Sequence, residues 1–305
     1  MSTFHALLTA SGLACLCGWA SVTQGQETPA APAPAVSDPA MQRTFEGLYS
    51  AWRDAMTRKD FAGWQQVTAT SRQRRVRNEI ISQRMRFPEA LFASSVAAPE
   101  LRGLICVDTL VRGETASVVY FGRADFGLGD PTAVRDNFVV LRFIKEFGIW
   151  KFDNLRVVKF GDDPEILAKV SNRDRSFLDA PEFQPAPVPP PVMGEVSLPE
   201  LVGEIWVTAS GYEVKITVNG QHQTAIANDS GRELILGGLS KAMNRIKVEV
   251  KPAEAEAGGP PRHLEIGIYG AARPDEAAQR FYHFRSAADG GPVAGFETTF
   301  TGAAR

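Results

Sequence analysis

A proline-rich stretch near the middle of the chain sets the strongest limit on its architecture. Residues 180–195 read APEFQPAPVPPPVMGE. Proline fixes its own φ and has no amide to donate, so such a run belongs neither in a helix interior nor in a central strand. Its Pro-Pro-Pro core favours polyproline II, a semi-rigid spacer. Residues 27–38, ETPAAPAPAVSD, repeat that composition. Together the two stretches predict an Ala/Pro-rich disordered spacer over 26–38, a first folded unit over 39–178, a linker over 179–195 and a second unit over 196–305. A chain of 305 residues is long enough for each unit to bury its own core.

Ahead of the spacer, residues 6–20 (ALLTASGLACLCGWA) form an apolar run followed by the polar SVTQGQE. The run is short for a membrane span. It has the layout of a secretory signal peptide over residues 1–25, cut after Ala20 or Gly25. Export to the periplasm or out of the cell is therefore expected. Cys15 follows Gly12-Leu13-Ala14, a poor lipobox, so lipid anchoring at Cys15 is the less favoured alternative. Only Cys106 would remain after processing, which excludes an internal disulfide in the mature monomer. No further segment is apolar enough to cross a bilayer, so no transmembrane segment is expected in the mature chain.

In the first unit, Met41, Phe45, Leu48, Trp52 and Met56 recur at helical spacing and put one apolar stripe on a helix over 40–58. Asp60 can cap a second helix beginning at Phe61, and a third runs from about Ser71 to Met85 before Pro88. Strand character follows at 103–111 and 115–124, then at 137–146 and 149–160, each pair joined by a short turn containing glycine. Pro164 opens a short helix over 164–171. Helices first and an antiparallel sheet second is an α+β order.

That order, with the helix of Trp52, the Asp60-Phe61 helix start with Trp64, the Tyr120-Phe121 strand and the Trp150-Lys151-Phe152 strand, resembles the NTF2-like (SnoaL-like, cystatin-like) superfamily over roughly residues 40–160. The resemblance implies a cone with a pocket between helices and sheet, lined here by Trp52, Trp64, Tyr120 and Phe152. It also implies a face through which the chain can form a homodimer. Some members are isomerases or cyclases that set an Asp or His base against a Tyr or acid donor. This unit holds no histidine. Asp108, read as sharing a strand face with Leu104, Cys106 and Leu110, is a weak candidate base whose pKa desolvation would raise, and Tyr120 a weak candidate donor; the alternative is that Asp108 sits at a strand end or pairs with one of the many arginines.

Charge is uneven along the chain. Residues 39–160 carry 19 Lys and Arg against 13 Asp and Glu, whereas the whole chain carries 33 against 35. The densest run is Ser71–Arg86, SRQRRVRNEIISQRMR. On a helix Arg74, Arg77 and Arg84 fall near one face, away from Val76, Ile80 and Ile81. One reading of this Arg72–Arg86 helix is an anion- or glycan-binding module; the other is a solvated face paired with local acids. Single-strand nucleic-acid binders interleave aromatics with the basic residues, and none are interleaved here, so nucleic acid is not expected.

In the second unit, Tyr212, Val214, Ile216 and Val218 alternate with polar residues, and Asn219-Gly220 is a strong hairpin signal. Residues 221–227 and 245–250 continue the pattern, with further strands expected at 203–208, 232–236, 263–269, 280–285 and 295–301. So many half-buried strands predict an all-β antiparallel sandwich, similar to the Ig-like or jelly-roll accessory domains of exported bacterial proteins. His222, His263 and His283 lie on different strands without metal-ligand spacing, so no metal and no cofactor is expected. Trp206, Tyr269 and Tyr282 are expected to pack in the core or at a sheet edge, and would stack on sugars only if they cluster on an exposed face.

The chain contains no Walker loop, GxGxxG, HExxH or GxSxG. The expectation is an exported, non-enzymatic binding or structural protein of the cell envelope, with an unknown protein or glycan as partner. Its alternatives are a small-molecule isomerase or cyclase in the first unit and an anion-binding module on the arginine helix.

Overall fold

The computed structural model describes residues 39–93, 98–126, 136–159, 163–253, 262–287 and 291–302. The expected signal peptide, Cys15 and the 26–38 spacer lie outside the described residues. Among the described residues the chain is mixed α/β, with four α-helices and twelve strands in three antiparallel four-stranded sheets. No helix among them is long and apolar enough to cross a membrane.

Three helices come first: α1 (Pro39–Arg58), α2 (Phe61–Val67) and α3 (Thr70–Ser82). The stripe on α1 buries Phe45, Tyr49, Trp52 and Ala55. Asp60 caps α2 by accepting a hydrogen bond from the Gly63 amide at 3.0 Å. Four strands then form a meander, β1 (Ile105–Arg112), β2 (Thr115–Arg123), β3 (Asp136–Glu146) and β4 (Ile149–Val158), in the spatial order β1-β2-β3-β4. The Ala69 amide, between α2 and α3, donates to Phe152 O at 2.8 Å and ties the helices to β4. One face of this sheet meets the helices through Tyr120, Val139, Leu141, Phe143 and Phe152.

The other face has its own cover. Val119, Phe121, Phe138 and Val140 pack against Phe177, Leu178 and Phe183, with Ile166 and Val170 of α4 (Pro164–Ser171) alongside. Residues 179–195 therefore do not run as a free spacer along their whole length. Phe183 and Pro185 are buried, Ala186 O accepts from the Thr115 hydroxyl, and Glu182 O accepts from Arg142. A phenylalanine within a proline-rich stretch is enough to dock it where an apolar sheet face lies open. Only the stretch from about 187 to 195 stays largely exposed, as its prolines predict.

Eight strands make the second unit: β5 (Val202–Ser210), β6 (Tyr212–Val218), β7 (His222–Ala227), β8 (Ser230–Leu234), β9 (Met243–Pro252), β10 (His263–Ala271), β11 (Gln279–Arg285) and β12 (Phe296–Thr301). They form one sheet in the order β11-β10-β5-β8 and another in the order β12-β9-β6-β7. A single apolar cluster joins them: Ile205, Val207, Leu264, Ile266 and Ile268 from the first, with Val214, Ile216, Val218, Ile246, Val248 and Phe300 from the second. Asn219 and Gly220, with left-handed φ of 51° and 71°, turn the β6–β7 hairpin through the three-residue connection 219–221, closed by the Gln221 amide donating to Val218 O at 3.1 Å.

The two units touch through α3. Asn78, wholly buried, donates from Nδ2 to Gly194 O at 2.8 Å and accepts at Oδ1 from the Val196 amide at 3.2 Å. Ser82, also wholly buried, donates to Asn78 O at 2.6 Å and accepts from the Gly237 amide at 2.8 Å.

Candidate functional site

Asp108 does not stand where strand alternation would put it. β1 pairs with β2 as Cys106↔Tyr120 and then Asp108↔Val119, so Val107 is an extra, bulged residue. The bulge resets the parity. Cys106 stays with Tyr120 on the helix-facing side, while Asp108 moves to the side of Val119. There its Oδ2 accepts from Arg175 at 2.9 Å and its Oδ1 from the Thr109 amide at 2.7 Å. It is an ion-paired carboxylate on the far face, not a base aimed at the helices.

Tyr120 does have an acid beside it. Its hydroxyl donates to Glu46 Oε1 at 2.7 Å, and Gln42 Nε2 donates to the same oxygen at 2.9 Å. Burial and that bond to Glu46 hold the phenol above its ordinary pKa. Burial first, then the charges of Glu46 and Asp108, push the Cys106 thiol up to about 11. Thiol and phenol thus keep their protons across neutral pH, and the phenol donates to Glu46. Sequence reasoning missed Glu46. The available signal was its place one turn after Gln42, at the border of the α1 apolar stripe.

The expected pocket residues pack among other rings. Trp52 lies 4.6 Å from Phe152 and Tyr49 lies 5.5 Å from Phe152, ring centroid to centroid. Trp64 stacks on Phe61 at 5.8 Å and meets the edge of Phe87. Trp52, Trp64, Tyr120 and Phe152 are all buried.

Nor do the three arginines face open solvent as a set. Arg74 and Arg77 both pair with Glu195, at 2.7 and 3.3 Å. Arg84, at φ 60°, donates from Nη1 to Glu200 O at 2.8 Å and Ala272 O at 2.7 Å. The expected single helix face is not formed: α3 ends at Ser82, so Arg84 lies beyond it, and all three arginines meet the connector and the second unit, partners more than a hundred residues away in sequence.

An open groove along β9 and β12 is lined by Lys247, Glu249, Phe296 and Glu297. Its charges are satisfied from within: Lys247 pairs with Glu249 and Glu297 with Arg245.

The outward face of the sheet β11-β10-β5-β8 is different. Alternation along β5 buries Ile205 and Val207 and turns Glu204, Trp206 and Thr208 outward. Across the sheet, register places Gly267 and then His283 beside Trp206 on one side and Arg232 on the other. The next row runs Arg280, Tyr269, Glu204. A side chain at Gly267 would strike the Tyr269 ring at 2.7 Å, so the glycine lets that ring lie over the strand. The Tyr269 and Trp206 rings come within 4.9 Å, and Trp206 is 39% exposed. Trp206 Nε1 donates to Glu204 at 2.9 Å. One row further, Glu265 accepts from His283 at 2.8 Å and lies 3.4 Å from His263 Nε2. The bond to His283 is the main cause that lowers the Glu265 pKa. Tyr282 instead packs on Phe300 in the core. This face offers two rings edged by hydrogen-bonding groups. No metal-holding group of His, Cys, Asp and Glu occurs among the described residues.

Comparison with protein-family models, with curated proteins and with solved structures finds no match to this chain.

Proposed function

We propose that the protein is an exported, non-enzymatic binding protein that holds saccharide on the outward face of its second unit. The carrying observation is the Trp206–Tyr269 pair: two rings at 4.9 Å on an otherwise polar sheet face. The apolar C–H face of a sugar ring stacks on such a surface, while its hydroxyls need donors and acceptors at the ring edge. Glu204, Thr208, Arg232 and His283 stand there by register. A protein partner would call for a wider apolar core than two rings supply.

We take the second unit as a sandwich of Ig-like or jelly-roll type, because its two sheets share one core cluster. The first unit we take as NTF2-like, because three helices precede a four-stranded meander that they cover on one face. Against an isomerase of that type stands Asp108, which faces away from the helices and is held by Arg175. The export reading rests on residues 1–25.

Affinity electrophoresis of the full chain through gels cast with neutral and acidic polysaccharides tests the reading. Retardation in at least one gel, lost in Trp206→Ala, is the expected result. Unretarded migration in every gel overturns it. N-terminal sequencing of the expressed protein tests export: an intact Met1 on the accumulated protein overturns that part.

A further inference from the structure

Resting on the saccharide reading, we infer that the ligand is an acidic saccharide, one that carries uronate carboxylates, gripped on either side of the ring pair by Arg232 and Arg280. The argument is a map of the face. Residues directly opposite in an antiparallel pair point to the same side of the sheet. Trp206 is opposite Arg232 on β8, and Tyr269 is opposite Arg280 on β11. The two rings therefore lie between two arginines, one on each flanking strand. Both arginines are exposed, and neither is ion-paired with a carboxylate among the described residues.

The acids of this face are already engaged. Glu204 accepts from the Trp206 indole, and Glu265 is held by His283, with His263 at 3.4 Å and Arg285 at 3.8 Å. What remains free beside the rings is guanidinium, whose planar fork matches a carboxylate in two hydrogen bonds. A neutral sugar offers the arginines only hydroxyl oxygens and leaves their charge unmatched. A uronate-bearing chain uses both.

Exposed arginine–carboxylate contacts are individually modest. Two together give an expected preference of about fivefold to tenfold for the charged ligand. Salt shrinks that preference, because both contacts face water.

The test compares ligands that differ chiefly in charge: oligogalacturonate against its methyl ester, and glucuronoxylan against unsubstituted xylan, each titrated into the full chain at low and at physiological salt. Tighter binding of at least one acidic member than of its neutral counterpart is expected. In Arg232→Gln/Arg280→Gln the two members of that pair should converge to within about twofold. Trp206→Ala should lose both. Equal affinities in the native chain, or a preference that survives the double variant, overturn the acidic assignment and leave the saccharide reading standing. No binding of any of the four overturns both. Unchanged thermal unfolding of the double variant separates lost grip from lost fold.

Discussion

Asn78 and Val196, 118 residues apart, meet as an amide pair: the Val196 N–H donates to the Asn78 side chain at 3.2 Å, as it would to the backbone of a neighbouring strand. The same side chain donates to Gly194 O, so Asn78 brackets Glu195 from both sides.

Asn78→Ala removes three side-chain hydrogen bonds, a long one from Arg77 among them, and leaves one backbone donor and one acceptor without their partner. A loss of about 2–4 kcal/mol is expected. The ion pairs above it count for less. Glu195 is 53% exposed, so Arg74→Gln/Arg77→Gln should cost less than about 1 kcal/mol, and that cost should vanish in high salt. Denaturant unfolding of both variants checks the order; a double-arginine variant weaker than Asn78→Ala would reverse it.

The docked part of the connector gives a second expectation. Phe183 is 6% exposed, with ring-centroid contacts to Phe138 at 5.1 Å and Phe177 at 5.6 Å. Phe183→Ala should destabilise the first unit by about 3 kcal/mol. A free spacer would tolerate the change within about 0.5 kcal/mol, and urea unfolding tells the two apart.

His222 supplies a pH dependence. Burial, reinforced by the charge of Arg75, lowers its pKa from 6.5 to about 4. Its Nδ1 accepts from the Leu236 amide at 3.2 Å, which a protonated ring cannot do. The unfolded chain binds the proton first, so the folded state keeps its full stability above pH 6.5 and loses it as the pH falls toward 4. The loss attributable to this group approaches about 3 kcal/mol at the acid end of the window. In His222→Gln, which keeps an acceptor, unfolding midpoints should show a flatter slope between those two pH values. An identical slope would remove His222 as the cause.

Cys106 should be slow to react. A thiol raised from 9.0 to about 11 holds roughly a hundredfold less thiolate at pH 8 than an ordinary one. Iodoacetamide kinetics on the folded chain should show that deficit and lose it in denaturant. Alkylation at the rate of free cysteine would contradict the burial argument.

What the sequence made legible was local. The α1 stripe, the Asp60 cap and the Asn219-Gly220 turn are each set by residues within a few positions of one another, and they stand where those patterns place them. Alternation likewise finds the outward set Glu204, Trp206 and Thr208. Pairing across strands was not legible. One bulged residue, Val107, sends Asp108 to the opposite face, and no spacing rule announces it. Arg74 and Arg77 of α3, with Arg84 just beyond its end, look like a site because their partners, Glu195, Glu200 and Ala272, arrive from the far half of the chain. Arg232 and Arg280 look ordinary until register sets them on either side of one aromatic pair.

The meander of the first unit is wrapped twice, by helices on one side and by the stretch from Phe177 to Ala186 on the other. A layer sheathed front and back can grow only sideways. Among the described residues the β4 edge is already bridged at Phe152 by Thr68 and Ala69, so self-association of this unit through its sheet would run strand against strand along β1, leaving both broad surfaces out of the contact.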